Sequence, residues 1–454
     1  MHNQYTNLPE YSIVKGPIMQ ENHIKVKIAL LGFGREGKST LQFLLKSPIH
    51  KGAEIWILDK NLISKSHYSD IPKSVHIKTG RNYTTNLSSF DLIFRSPGIP
   101  YLLPALQDVR KKGVVITSQT KLFFALMRPM RKKLIGITGT KGKGTTVTLL
   151  AHILKNAKKR VTVVGNIGFP MLDALRAARR ADFVILELSS FQLQDLTESP
   201  HIATVIDMFP DHLDSHASLR EYYDAKTAIA KYQIKGDSIF YLAENPISTK
   251  IAKQSRGKKF PVYPHEKGSR KNRDIAIAIA KHIGVSDTII QKSLKNFRGL
   301  AHRMELVRTI TTEQGIIDFF DDSAATNPEA AGAAITSFTH PFILIAGGKN
   351  KNLDYAPLRN AAIKQKQYAL EIIAIGEIQH KLSNLLGPLF FKKYSAPTIS
   401  SAVLHAYRTA KQSLSEECPR VSIILSPGAA SFDMFKNYED RGMQYKKAVQ
   451  AQRA

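Results

Sequence analysis

The residues best suited to chemistry in this 454-residue chain lie in the stretch Gly139-Thr-Lys-Gly-Lys-Gly-Thr-Thr146. An apolar run, Leu134 to Thr138, ends in this glycine-rich turn, and an apolar helix from Val147 to Leu154 follows. Glycines at 139 and 142 let backbone N–H groups crowd around phosphate oxygens, and the helix N-terminus adds a favourable dipole. Thr140 and Gly144 complete the cradle, Lys143 would reach the outer phosphates, and Thr145 or Thr146 would hold Mg2+. The spacing departs from the usual phosphate-loop pattern, because Ile137 stands where that pattern has its first glycine.

A second glycine-rich turn, Gly32-Phe-Gly-Arg-Glu-Gly37, sits between a strand (Lys25 to Leu31) and a helix (Lys38 to Leu45). This is a G-x-G-x-x-G in the strand–turn–helix context of a nucleotide site. Gly34, Arg35, Glu36 and Gly37 would approach the ligand. Asp59, ending the strand Glu54 to Leu58, stands near the spacing at which a carboxylate meets a ribose. Ser96, Pro97 and Gly98 follow the strand Leu92 to Phe94, at the edge where such sheets bind ligands. Gly32 to Gly37 with Lys38 and Ser39 also satisfies the formal phosphate-loop pattern, better than the stretch at 139. However, the first region offers no acidic strand end placed for a metal. The middle region does, at Glu187 after Phe183 to Leu186. ATP is therefore expected in the middle region, and a nucleotide-containing substrate or cofactor in the first.

Further along, Ala203 to Ile206 leads into Asp207-Met-Phe-Pro-Asp-His-Leu-Asp214. His212, between two carboxylates, reads equally as a metal ligand or as a satisfied surface histidine. Other expected strands are Val114 to Thr117, Arg160 to Val164, Ser238 to Leu242, Ile316 to Phe320, Phe342 to Ala346, Ile372 to Ile375 and Val421 to Leu425. Each of the last four ends in small, polar or cationic residues, which reads as one ligand-binding edge. The expected architecture is three successive α/β domains with mainly parallel sheets: 1–124, 125–299 and 300–454.

Composition excludes several classes. Hydrophobic content of 43% and charged content of 22% suit a globular chain. A single cysteine, Cys418, rules out an internal disulfide framework and suits a reducing cytoplasm. No apolar run reaches membrane-spanning length. The net charge of +28 would suit polyanions. Yet the basic runs Arg128 to Lys133 and Arg176 to Arg180 lack interleaved aromatics for base stacking, so they read as solvated surface.

Taken in order, these blocks resemble the Mur ligase family from about Lys25 to Gly442. The resemblance rests on Gly139-Thr-Lys-Gly-Lys143, Gly165-Asn-Ile-Gly168, Glu187-Leu-Ser-Ser-Phe-Gln-Leu193, Pro210-Asp-His-Leu-Asp214, Lys226, His302-Arg303 and Asp322-Ser-Ala-Ala-Thr326. A last block, Leu425 to Gly442, is the one most specific to the family's D-glutamate-adding branch.

The resemblance implies a Rossmann-like first domain for the UDP substrate, a central ATP domain and a Rossmann-like third domain for the amino acid. It implies a cytoplasmic, monomeric, ATP-dependent acid–amino-acid ligase of peptidoglycan precursor synthesis. Its substrates would be UDP-N-acetylmuramoyl-L-alanine, ATP and D-glutamate, with no nucleic acid and no membrane insertion. A related ligase using another amino acid or a folate-like acceptor is the alternative.

By resemblance, Lys143, with Mg2+ on Thr145 and Glu187, supplies the first charge cluster. His212 would hold a second Mg2+, and Lys226 would carry it as a carbamate. Arg303 would reach the γ-phosphate, Asp322 the ATP ribose, and Asn272 would also contact ATP. Asn166, Ser189, Gln192 and His212 would guide the muramoyl-alanine part. Ser323, Thr326, Lys351, Ser431, Phe432 and Tyr438 would take D-glutamate. The family pattern usually has Asn at Lys141 and Asp207, a hydroxyl at Gly144, Arg at Ser215 and Lys at Ala324. Ala324 leaves a weaker clamp there unless Lys349 or Arg441 supplies that last cation. The stretch from Leu242 to Asn272 is short of room for the antiparallel strands usual in the middle domain.

Overall fold

The computed structural model describes residues 26–47, 52–61, 71–210, 216–264, 271–297, 299–351 and 353–452. His212 and Ser215 lie outside them. The chain divides into two compact units, Met1–Phe297 and Arg298–Ala454.

The first unit holds two sheets. One contains β1 (Lys27–Leu31), β2 (Glu54–Asp59), β3 (His76–Thr79), β4 (Leu92–Arg95) and β5 (Val115–Thr117). Its order is β3-β2-β1-β4-β5, and every pairing is parallel. The other contains β6 (Leu134–Thr138), β7 (Val161–Gly165), β8 (Phe183–Glu187), β9 (Ile202–Val205), β10 (Ser238–Leu242) and β11 (Lys258–Val262). Its order is β11-β10-β9-β6-β8-β7, again wholly parallel. Strand β6 is central: the chain leaves it toward β7 and β8 on one side and crosses to β9 on the other. The crevice outside the carboxyl end of such a strand is a binding position set by topology alone.

The second unit holds one mixed sheet: β12 (Glu305–Thr312), β13 (Gly315–Asp321), β14 (Phe342–Gly347), β15 (Ala369–Ile375), β16 (Lys392–Ala396) and β17 (Arg420–Leu425). Its order is β12-β13-β17-β14-β15-β16, with only the β12–β13 pair antiparallel. The three-sheet, mainly parallel α/β class expected from the sequence is the class observed.

Interior strands are near-continuous apolar runs because helices cover both faces of a parallel sheet. Leu134, Ile135 and Ile137 of β6 and Ile343, Leu344 and Ile345 of β14 are wholly buried. Four strands were not read from the sequence: β3, β11, β12 and β16. All four are sheet edges. Their sequences, such as Lys258-Lys-Phe-Pro-Val262, mix polar and apolar residues without a clear period, because an edge strand stays partly open to water. Pro261 fits there, since an edge strand can spare one ladder donor.

Candidate active site

Lys143 opens the helix Lys143–Asn156 directly after the glycine turn, with Gly142 as its N-cap at φ +88°. The loop is held from several sides. Thr140 accepts from the Phe209 amide at 2.9 Å, and its hydroxyl lies 2.8 Å from the Tyr222 hydroxyl. The Thr140 amide donates to the Asp207 carbonyl at 2.8 Å. The Lys143 ammonium donates to the carbonyls of Gly139 and Thr140 at 2.9 and 3.0 Å. In this position it lies folded over the loop. Lys141 is exposed.

The two threonines after Gly144 separate. Thr146 is fully buried and donates to the Gly142 carbonyl at 3.0 Å. Thr145 is partly exposed. Asn272, on the helix Lys271–His282, packs against Gly142: a Cβ there would lie 2.1 Å from the Asn272 Nδ2. Thus the structure brings Asn272 to the phosphate loop.

Strand β8 lies beside β6, with Ile137 opposite Glu187. Glu187 is buried; its Oε1 accepts from Asn166 Nδ2 at 2.7 Å, while Oε2 has no hydrogen-bond partner. A buried carboxylate oxygen without a partner is costly alone and suits a hard cation. The unpartnered Glu187 oxygen is thus a donor that fits Mg2+, on the strand beside the one that leads into the phosphate loop.

Lys226 ends the helix Leu219–Lys226 and is buried, donating to the Gly139 carbonyl at 3.0 Å and toward Thr138 Oγ1 at 3.4 Å. Its ammonium sits 5.0 Å from the centre of the Tyr222 ring. The sequence reading missed Tyr222. Its spacing of one helical turn before Lys226 was the available signal.

At the edge of the first sheet, Gly34, Arg35, Glu36, Lys38, Asp59, Ser96, Pro97 and Gly98 line a cleft of about 610 Å³ with Lys60 and Asn61, and Gly165 and Asn166, at the end of β7 in the other sheet, complete it. The Asp59 carboxylate accepts from the amides of Phe33 at 2.7 Å and Asn61 at 2.8 Å, so it shapes the cleft floor. Gly37 serves packing: a Cβ would strike the Gly32 carbonyl oxygen at 2.3 Å. Ser39 is buried and donates to Asp173 at 2.7 Å. Gln192 donates to Glu36 at 2.7 Å and accepts from the Ser189 amide at 3.0 Å. Burial pushes the Glu36 carboxyl above its ordinary range, against the Gln192 hydrogen bond and nearby Arg35 and Arg95.

The runs read as solvated surface are partly tied down. Arg128 pairs with Glu198 at 2.7 Å, Arg131 pairs with the buried Asp237, and Lys133 donates to the Arg179 carbonyl at 3.0 Å.

In the second unit, three loops follow the adjacent strands β13, β17 and β14. They carry Asp322 to Thr326, Ser426 to Phe432 and Gly347 to Lys351. The Gly428 amide donates to the Ala325 carbonyl at 2.9 Å, and that of Lys349 to the Ala430 carbonyl at 2.8 Å. The Lys351 ammonium lies 5.6 Å from the centre of the exposed Phe432 ring. Ser431 is buried and Thr326 partly so. Ser323 is also buried, and its hydroxyl donates to the Tyr438 carbonyl at 2.8 Å.

Arg441 does not replace the cation missing at Ala324. It is wholly buried and donates to Ser323 and to the Ala429 carbonyl, and burial lowers its pKa to about 10. Lys349 is paired with Glu377 at 2.7 Å. Asp322 accepts from Ser426 Oγ at 2.7 Å and the Met304 amide at 3.2 Å; burial raises its pKa to about 6 despite these bonds and nearby Arg303. Arg303 is exposed. His302, beside it, lies 2.7 Å from Asp321.

Comparison with known proteins agrees with this layout. The Mur ligase MurD-like N-terminal domain matches residues 26–118, and the Mur ligase middle domain matches 137–298. The UDP-N-acetylmuramoylalanine–D-glutamate ligase of Acetivibrio thermocellus is 33% identical over 93% of this chain and 96% of its own length. That of Clostridium tetani is 31% identical over the same shares. Among solved structures, UDP-N-acetylmuramate–alanine ligase MurC from Thermotoga maritima aligns with 94% of this chain and all of its own, at a TM-score of 0.51 and 16% identity. MurF from Acinetobacter baumannii covers 74% of this chain and 82% of its own, at 0.53 and 16%. The last two likenesses concern the fold. No helix among the described residues is long and apolar enough to cross a membrane. At a third of residues identical across nearly the whole of both chains, the sequence belongs to the Mur ligase family, in its UDP-N-acetylmuramoylalanine–D-glutamate ligase branch.

Proposed function

We propose that this chain is an ATP-dependent ligase that joins D-glutamate to the alanine carboxylate of UDP-N-acetylmuramoyl-L-alanine, in the synthesis of peptidoglycan precursors. The observation that carries the chemistry is Glu187. One carboxylate oxygen is tied to Asn166 in the nucleotide cleft, and the other stands unpartnered next to the phosphate loop. A substrate with its nucleotide in the cleft and its carboxylate near Glu187 meets ATP held on Gly139 to Thr146.

The alanine carboxylate oxygen attacks the γ-phosphorus, the bond to the bridging oxygen breaks, and ADP leaves. The amine of D-glutamate then attacks the acyl carbonyl, loses a proton, and phosphate departs. Moving a phosphoryl group between anions needs positive charge and alignment more than covalent help. Mg2+ on Thr145 and Glu187 would screen the triphosphate. Lys143 would turn from the loop carbonyls to the outer phosphates. A second ion, resting on His212 and on Lys226 as a carbamate, is part of the proposal, since a carbamate offers a hard cation oxygen where an ammonium would repel it. Arg303 on the γ-phosphate and Asp322 on the ribose are family assignments that we carry over, and the domain limits 1–124, 125–299 and 300–454 are kept as read from the sequence.

For the amino acid, Lys351 is the cation for one carboxylate, with Thr326, Ser431 and the Phe432 backbone as donors. Ala324 leaves that clamp one cation short, so D-glutamate should bind, but with a higher KM than in a lysine-bearing relative. Phosphate release from ATP and UDP-N-acetylmuramoyl-L-alanine tests the reading, comparing D-Glu, L-Glu, D-Asp, L-Ala, L-Lys and L-Ser. D-glutamate should win, and Ala324→Lys should lower its KM. If an amino acid without a side-chain carboxylate wins, the assignment is wrong.

A further inference from the structure

Arg95 is the last residue of β4, and its side chain is 1% exposed. Leu92, Ile93 and Phe94 before it are buried apolar residues, so the strand needs no charge for its packing. A guanidinium there carries a desolvation cost that an apolar side chain of similar volume would not, and a buried ion pair is weak evidence of added stability. Moreover, the pairing is incomplete. Arg95 Nη2 lies 3.7 Å from Asp195 Oδ1, both Asp195 oxygens lack a hydrogen bond, and so does Arg95 Nε.

What the guanidinium does is join two places. Nη1 donates to the Ile99 carbonyl at 2.8 Å, holding the Ser96 to Ile99 wall of the nucleotide cleft. Nη2 donates to the Phe191 carbonyl at 2.8 Å, in the short segment that follows Glu187. The same segment is gripped again one residue on, where Gln192 donates to cleft-lining Glu36 while its side-chain Oε1 accepts from the Ser189 amide and hydroxyl. Thus the cleft wall and the peptide just beyond Glu187 are bolted to each other across two different sheets.

We propose that Arg95 is a positioning residue that sets the separation between the nucleotide cleft and the Glu187 corner. A substrate that spans the two has its carboxylate delivered at a length this fork maintains. The proposal rests on the functional reading above. A lysine would not substitute, because one ammonium cannot span both carbonyls in the geometry of the planar fork.

The test uses the full chain in three forms: wild type, Arg95→Lys, and the double variant Arg95→Met with Asp195→Leu. The double variant replaces the pair by apolar side chains and so avoids a stranded buried carboxylate. Four quantities are measured: the Kd for UDP alone, the KM for ATP, and the KM and kcat with UDP-N-acetylmuramoyl-L-alanine and D-glutamate. In the double variant, the UDP Kd and ATP KM should stay within about threefold of wild type. Its kcat should fall by at least tenfold and toward the ~10²-fold typical of a misplacement of about 1 Å. Arg95→Lys should lie between. A folded double variant with wild-type kcat would overturn the proposal. So would an equal loss of UDP affinity and kcat, which would make Arg95 a plain support of the cleft wall. Wild type with no phosphate release on this substrate pair would instead remove the functional reading, and the positioning role with it.

Discussion

Replacing Gly142 by alanine should cripple the use of ATP while leaving the chain folded. Gly142 has φ +88°, and an added Cβ would lie 2.1 Å from Asn272 Nδ2, 2.6 Å from Cγ and 2.7 Å from Oδ1. Rotating the amide about its last bond moves the nitrogen and oxygen but not Cγ, so this rotation cannot clear the contact. To regain ordinary carbon contact at ~3.5 Å, the asparagine must turn away about its first side-chain bond or part from the loop by about 1 Å. The left-handed backbone adds about 1–2 kcal/mol of strain with or without nucleotide, and should appear as a lower Tm. The displacement should appear in catalysis, as a loss of about 10² in kcat/KM for ATP, or ~2.7 kcal/mol. Phosphate release under varied ATP reads this directly. The double variant Gly142→Ala with Asn272→Ala removes the obstructing amide, so the two changes should combine to less than the sum of their single costs, by ~1.4 kcal/mol or more. A single Gly142→Ala variant within threefold of wild type, or strict additivity in the double, would refute the reasoning.

Three further outcomes are expected. Thr145→Ala should cost ~10²–10³ in kcat, the range for one lost electrostatic contact in a transition state. Thr146→Ala removes a buried bond to the Gly142 carbonyl and should cost about 1 kcal/mol of stability with kcat little changed; equal mild effects would mean neither hydroxyl serves the metal. Lys226→Ala should lose most ligase activity, and acetate should restore part of it; near-normal activity without any additive would refute the carbamate. Asp322, raised to about 6 by burial, holds its proton more tightly folded than unfolded. Its stabilising contribution is therefore present below its ordinary pKa and lost as pH rises through 6, at most roughly 3 kcal/mol. Thermal unfolding of wild type should accordingly lose ground to Asp322→Asn between pH 4 and 7, and the opposite drift would count against the burial argument.

The sequence by itself determined the parts that local chemistry imposes. Two glycine-rich segments were legible as tight turns, because glycine takes positive φ readily and lets the backbone come close, as at Gly32 and Gly142. The interior strands were legible as unbroken apolar runs, because both faces of a parallel sheet are covered. Glu187 and Lys143 were legible because a strand end and a helix start sit at fixed distances from such a turn. Tertiary structure decided the rest. Edge strands β3, β11, β12 and β16 became strands only by pairing with a neighbour, since their half-polar sequences carry no burial signal. Arg441, a candidate cation by type, proved to be spent on Ser323 and the Ala429 carbonyl. Ser39, one place beyond the cleft-lining Lys38, turned away to Asp173, 134 residues on. Arg95, one residue past the strand read at Leu92 to Phe94, drew no assignment from the sequence, and the fold buries it. For Arg441, Ser39 and Arg95 a deciding partner lies 118, 134 and 96 residues away in sequence, and residue type limits what a side chain can do but not which distant group the packed chain presents to it.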